Sequence, residues 1–122
     1  MEARQLDSLW QAPSIRRRIL LQQGQREWQF DSSTSLRFRI GRDPDADLSL
    51  QWPFISRTHA WLCLVRNAFV LVDVSSNGSW WQAEDGRTHF VHQQTVRLWG
   101  NGQLAFGEPL TPQSAVGFRI LD

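Results

Sequence analysis

The feature that most limits the fold is punctuation. From Arg16 onward the chain breaks into short runs rich in aliphatic, β-branched and aromatic residues, each closed by turn-forming residues. The runs fall at 17–22, 26–30, 36–40, 48–50, 59–65 and 68–74, and again at 79–82, 89–91, 95–98, 103–106 and 117–121. Gly24, Asp31–Ser35, Asp43–Asp45, Asn77-Gly78, Asp85-Gly86 and Asn101-Gly102 supply turn chemistry between them. Many short strands at this spacing predict an all-β domain, an antiparallel sandwich or barrel. "LRFRI" alternates apolar and charged residues, so one face of its strand should be wet. "HAWLCLV" does not alternate, which places it in the middle of a sheet. No segment has the pattern of a helix longer than two turns. Ahead of the strands, Leu6, Leu9 and Trp10 share one face of a short helix that Pro13 would stop, so residues 1–15 read as a flexible lead-in to a domain at 16–122.

Composition narrows the function classes. The 122 residues are 41% hydrophobic, with seven Trp and seven Phe, enough for one ordinary core. No stretch approaches the ~18 apolar residues of a membrane span, and the charged N-terminus lacks a signal-peptide pattern. A single cysteine, Cys63, excludes an internal disulfide and fits a reducing compartment, so a cytoplasmic location is expected. A net charge of +1 carries no electrostatic footprint for nucleic acid or for an anionic membrane. All thirteen basic residues are arginine. Without lysine, Schiff-base chemistry and phosphate-loop nucleotide hydrolysis are excluded. Arginine instead suits two-pronged recognition of phosphate or carboxylate.

Several chemical motifs fail on inspection. Asp43, Asp45 and Asp47 alternate like the start of a calcium-binding loop, but the required glycine and glutamate are replaced by Leu48 and Phe54. His89 and His92 are three apart on a predicted strand and face opposite sides. His59 and Cys63 share a predicted strand and a face, yet no second ligand pair has metal-site spacing. Surface histidines and a packed core thiol are expected, with no metal. Ser56 and His59, with Asp73 as a third group, outline a nucleophile and its base. The serine, however, sits on no G-x-S-x-G elbow and near no glycine-rich oxyanion segment.

Three other segments make better sense together. Gly41-Arg42, Ser56-Arg57-Thr58-His59 and Ser75-Ser76-Asn77-Gly78 each fall in a turn at a predicted strand end. Loops at one end of a sandwich converge. They would gather arginine, hydroxyls, an amide and loop N–H groups, all donors, around an anion with several acceptor oxygens such as phosphate. Against this stands the plain reading of Gly41, Asn77 and Gly78 as turn residues, Asn-Gly being a strong hairpin signal.

In this order and spacing, G-R, S-R-x-H and S-x-N-G resemble the signature of the forkhead-associated (FHA) domain. "GRDPDADLSL", "VLVDVSSNGSWW" and "VRLWGNGQLAFG" followed by "GFRI" extend the resemblance across roughly residues 16–121. It implies an eleven-stranded, two-sheet β-sandwich of FHA/SMAD-like form that binds phosphothreonine in a partner's flexible segment, downstream of a Ser/Thr protein kinase. Carried over by position, Arg42 and Ser56 would grip the phosphate. Arg57 would contact the phosphate or nearby backbone, Ser76 would donate to the phosphate region, and Asn77 would hold the peptide main chain. Gly41 and Gly78 would shape the loops, and His59 would brace the Ser56 loop. The resemblance implies no catalysis and no cofactor.

The chain departs from the family pattern in "GNGQL", where glycine-aspartate is common, and in the long, tryptophan-rich "SWWQAEDGRTHF". Trp80 and Trp81 should alternate sides, one in the core and one outward, either beside a peptide groove or against another domain. A scaffold that assembles partners without phosphate is the alternative function, although such a domain would be free to lose Arg42 and Ser56, and both are present. Modules of this family are usually joined to larger proteins, so 16–122 is open to being the N-terminal part of a longer chain.

Overall fold

The computed structural model describes residues 16–121; the lead-in predicted at 1–15, with its Leu6, Leu9 and Trp10 face, lies outside the described residues. Eleven strands follow one another: β1 (Arg18–Gln23), β2 (Arg26–Asp31), β3 (Arg37–Gly41), β4 (Leu48–Ser49), β5 (Ala60–Val65) and β6 (Ala68–Asp73), then β7 (Ser79–Gln82), β8 (Thr88–Val91), β9 (Thr95–Arg97), β10 (Asn101–Phe106) and β11 (Val116–Leu121). They form a six-stranded sheet in the order β2-β1-β11-β10-β7-β8 and a five-stranded sheet in the order β4-β3-β5-β6-β9. Each predicted run corresponds to one of these strands.

The period-2 alternation of strand side chains explains the packing. In β3, Phe38 and Ile40 point inward while Arg37 and Arg39 face out. β1 and β10 do the same with Ile19 and Leu21, and with Leu104 and Phe106. Phe30 and Phe38 stack across the two sheets with ring centroids 4.3 Å apart. Removing one such fully buried aliphatic side chain costs about 2–5 kcal/mol. β5 and β6 are joined by Arg66 and Asn67 alone, both with positive φ (51° and 65°). That is the mirror-image turn whose twist suits a two-residue hairpin.

Four expectations need correction. The pairing is not wholly antiparallel, because β4 runs parallel to β3, with Ile40 opposite Leu48 and Gly41 opposite Ser49. A loop curled on Asp43 brings the chain back beside the strand it has just left: the Asp43 carbonyl accepts from Ala46 N–H, and Gly41 O accepts from Leu50 N–H. Asn101-Gly102 is no turn but the start of β10; the positive φ lies at Gly100 (60°), and a side chain at Gly102 would collide with Phe118 and the Gln82 carbonyl. β5 is central in its sheet, yet its burial alternates, and its outward residues Trp61 and Cys63 are half-buried, so Cys63 is not a core thiol. His59 precedes β5 and is fully buried, so it shares neither strand nor face with Cys63.

Candidate functional site

The segments that the sequence singled out meet at one end of the sandwich and are tied by short bonds. Arg42 N–H donates to Ser56 O (2.9 Å) and Asp43 N–H to Arg57 O (3.2 Å). Gly41 allows this approach, because a Cβ there would run into the Arg57 carbonyl. From the other side Ser76 N–H donates to Ser56 Oγ (3.2 Å), and the Asn77 amide donates to Phe54 O (3.0 Å). Three stretches distant in sequence thus behave as one surface.

Beneath that surface lies a buried polar layer. Ser56 N–H donates to His59 Nδ1 (3.1 Å), while Nε2 lies 2.8 Å from Gly78 O. Nδ1 must therefore accept and Nε2–H must donate, which fixes a neutral tautomer. Burial holds the ring's pKa below the ordinary histidine value, against the opposing pull of the Gly78 carbonyl and Asp73. Asp73, also buried, is the second hub. Its Oδ1 accepts from Ser75 N–H (3.1 Å) and Gln93 N–H (2.9 Å), and its Oδ2 from Ser79 Oγ (2.5 Å). The Ser75 hydroxyl lies 3.0 Å from both carboxylate oxygens and accepts from Gly78 N–H (2.7 Å). A carboxylate with this many donors tolerates burial without a cation.

The same bonds dispose of Ser56 as a nucleophile. The residue meets His59 through its backbone N–H, while its Oγ accepts from Ser76. His59 Nε2 is 3.8 Å from Asp73 Oδ2 and is committed to the Gly78 carbonyl. No serine–histidine–aspartate relay forms. Two of the three aspartates of "GRDPDAD" are likewise engaged: Asp43 Oδ1 accepts from Asp45 N–H (3.0 Å), and Asp47 Oδ2 accepts from Arg39 N–H (2.7 Å). His89 packs on Trp81 and His92 on Phe90, on opposite sides of the β8 strand.

Above the buried layer the surface is rich in donors. Arg42, Arg57, Ser76 and Asn77 are exposed and Ser56 is half-buried. Among the described residues no side chain pairs with the Arg42 guanidinium. Arg57 is 76% exposed and stands 3.8 Å from Asp43 Oδ2, an oxygen that already receives Arg39 at 3.1 Å. The Asp45 N–H, then the two arginines, hold the Asp43 carboxyl below its ordinary range. Ser56 Oγ accepts from Ser76, so its own O–H remains to donate outward. The arrangement can receive an anion with several oxygens.

Sequence reasoning did not anticipate the structural roles of Asp43, Asp73 and the exposed Phe54 and Phe90. Asp73 carries a legible signal, since an aspartate two residues before a serine favours a side-chain-to-backbone turn. The phenylalanines carry none, because neither alternation nor a motif marks them as exposed.

Residues 38–107 match the family model of the FHA domain. This chain belongs to the FHA domain family. Solved FHA structures share its fold at low identity. FHA-1 of Mycobacterium tuberculosis Rv1747 is 22% identical with a TM-score of 0.70, the match covering 88% of this chain and 100% of that one. The N-terminal FHA domain of Saccharomyces cerevisiae Rad53p, solved with a phosphothreonine peptide, is 22% identical with a TM-score of 0.61, covering 88% and 93%. The FHA domain of Chlamydia trachomatis CT664 is 24% identical with a TM-score of 0.61, covering 88% and 98%. A comparison with curated proteins finds no match. In this FHA domain, the converged loops are the feature that calls for a function.

Proposed function

We propose that this FHA domain is a non-catalytic module that binds phosphothreonine in a partner protein phosphorylated by a Ser/Thr kinase, and so serves signal transduction in the cytoplasm. The observation that carries the reading is the exposed Arg42 side chain, without a partner among the described residues, on a loop tied by its backbone to Ser56, whose hydroxyl in turn meets Ser76 N–H. A phosphorylated side chain brings about −1.5 to −2 charge and three strong acceptor oxygens at neutral pH. Arg42 supplies the charge-assisted pair, and the hydroxyls of Ser56 and Ser76 fill remaining lone pairs. Arg57 reaches the phosphate or the adjacent backbone, in competition with Asp43. Asn77 spends one amide hydrogen on Phe54 O and keeps the other for the peptide main chain. The Rad53p relative, solved with a phosphothreonine peptide, supports the same ligand class. Micromolar affinity, about −8 kcal/mol, suits such a short motif.

The test is fluorescence anisotropy with a phosphothreonine peptide library, against unphosphorylated and phosphoserine controls, for wild type and Arg42→Ala. Phosphate-dependent binding that vanishes in the variant supports the reading, as does weakening below pH about 6, where the phosphate takes up a proton. Absence of phosphopeptide binding by folded protein would overturn it in favour of a phosphate-independent scaffold. Cell fractionation checks the location; recovery outside the cytoplasm would refute that part.

A further inference from the structure

An aromatic row borders the candidate phosphate loop on strands that the functional reading has not used. Trp80, on β7, and Phe90, on β8, are cross-strand partners on the outer face of the six-stranded sheet, with ring centroids 4.8 Å apart. His92 continues the row 5.7 Å from Phe90, and its Nε2 lies 3.2 Å from Ser75 O. Phe90 also sits directly over Gly78, so closely that a side chain at Gly78 would strike its ring. The row is therefore in contact with both ends of the Ser75–Gly78 loop that carries Ser76 and Asn77.

Phe90 is nonetheless 53% exposed, on an edge strand. Edge strands ordinarily carry polar or charged side chains, and an exposed ring beside other aromatics is a surface waiting for apolar cover. Trp80 has an evident structural use, lying half-buried opposite the fully buried Ala105 of β10. The free half of Phe90 has none within the described residues. Across the loop Phe54 is 52% exposed, but among the described residues it makes no ring contact.

We infer that Phe90, backed by Trp80 and His92, is a specificity subsite for a large apolar or aromatic side chain near the phosphothreonine of the bound peptide. This rests on the proposed phosphopeptide reading and deepens it. An extended peptide advances about 3.3–3.6 Å per residue, and Gly78 adjoins Asn77, so the side chain that reaches Phe90 lies within roughly three residues of the phosphothreonine. The phosphate then supplies the charge anchor, and the ring row supplies selectivity through stacking and burial.

The experiment compares phosphothreonine peptides whose neighbouring positions, three on each side, are scanned with Leu, Phe and Ala, binding to wild type, Phe90→Ala, Phe90→Tyr and Phe54→Ala. Wild type should prefer Leu or Phe over Ala at one neighbouring position by about tenfold, the worth of one well-buried apolar side chain. Phe90→Ala should abolish that preference, leave the affinity for the all-alanine phosphopeptide within about twofold, and lose nothing in Phe90→Tyr. The all-alanine peptide separates a lost subsite from a loosened Gly78 loop, because a loosened loop would weaken every phosphopeptide. A preference that survives Phe90→Ala, falls instead with Phe54→Ala, or is absent in wild type overturns the inference while phosphopeptide binding stands. No phosphopeptide binding at all overturns both.

Discussion

Two layers at the same end of the sandwich make opposite use of polar groups. In the lower layer His59, Asp73, Ser75 and Ser79 are buried, and their bonds are spent on one another and on loop backbone. In the upper layer Arg42, Arg57, Ser76 and Asn77 are exposed, with donors to spare. The difference separates holding from binding. Fixing the loops beneath means that a ligand above meets donors already in position and pays little ordering entropy. Substitutions below should therefore be read in stability, and substitutions above in affinity.

The largest expected effect breaks the lower layer. Asp73→Ala strips acceptors from Ser75, Ser79 and Gln93 at once. It should lower unfolding free energy by roughly 3–5 kcal/mol in urea denaturation, since each orphaned buried donor costs about 1–3. A loss under about 1 kcal/mol would show that the carboxylate is not the hub. Next comes the mirror case above. Arg42→Ala should leave stability within about 0.5 kcal/mol. In calorimetric titration it should weaken phosphopeptide binding by about 2–5 kcal/mol. Equal losses in both assays would erase the division between layers.

A third prediction uses pH. Folded His59 has a depressed pKa, so the unfolded chain binds its proton more readily. The folded state keeps its full stability above the unfolded value of about 6.5 and loses it as pH falls below that, by up to about 1.4 kcal/mol per pH unit. Protonation would also set an Nδ1–H against the Ser56 N–H. Melting temperature between pH 7.5 and 5 should fall more steeply in wild type than in His59→Gln, which has nothing to titrate there; identical slopes would refute it. The smallest effect belongs to Arg57→Ala. Its loose, exposed pairing with Asp43 predicts a stability change below about 0.5 kcal/mol, with a drop of a few-fold in phosphopeptide affinity. A collapse as deep as that of Arg42→Ala would make Arg57 a primary anchor.

Strand positions were legible because β-sheet alternation and turn residues are local properties. "LRFRI" announces its inward residues, and Gly24, Asp31–Ser35 and Asp85-Gly86 do close strands. Legibility failed where a residue's role depends on a distant neighbour. Asn101-Gly102 has turn chemistry, yet Phe118 and the Gln82 carbonyl claim the space beside Gly102 and keep it in a strand. Cys63 looks like a core thiol in an apolar run, but the parity of β5 points it outward. The hydrogen-bond partners of His59 and Asp73 were similarly out of reach of spacing alone.

By itself, then, the sequence determined an all-β chain, the positions of its strands along it, and the residue types able to meet an anion, because short-range pattern and side-chain chemistry carry that information. The tertiary structure decided which of those residues touch. It turned β4 parallel, buried His59 between the Ser56 and Gly78 loops, left Arg42 exposed and laid Phe90 against Gly78. Those outcomes depend on contacts between different strands and loops, which form only when both sheets close over one core.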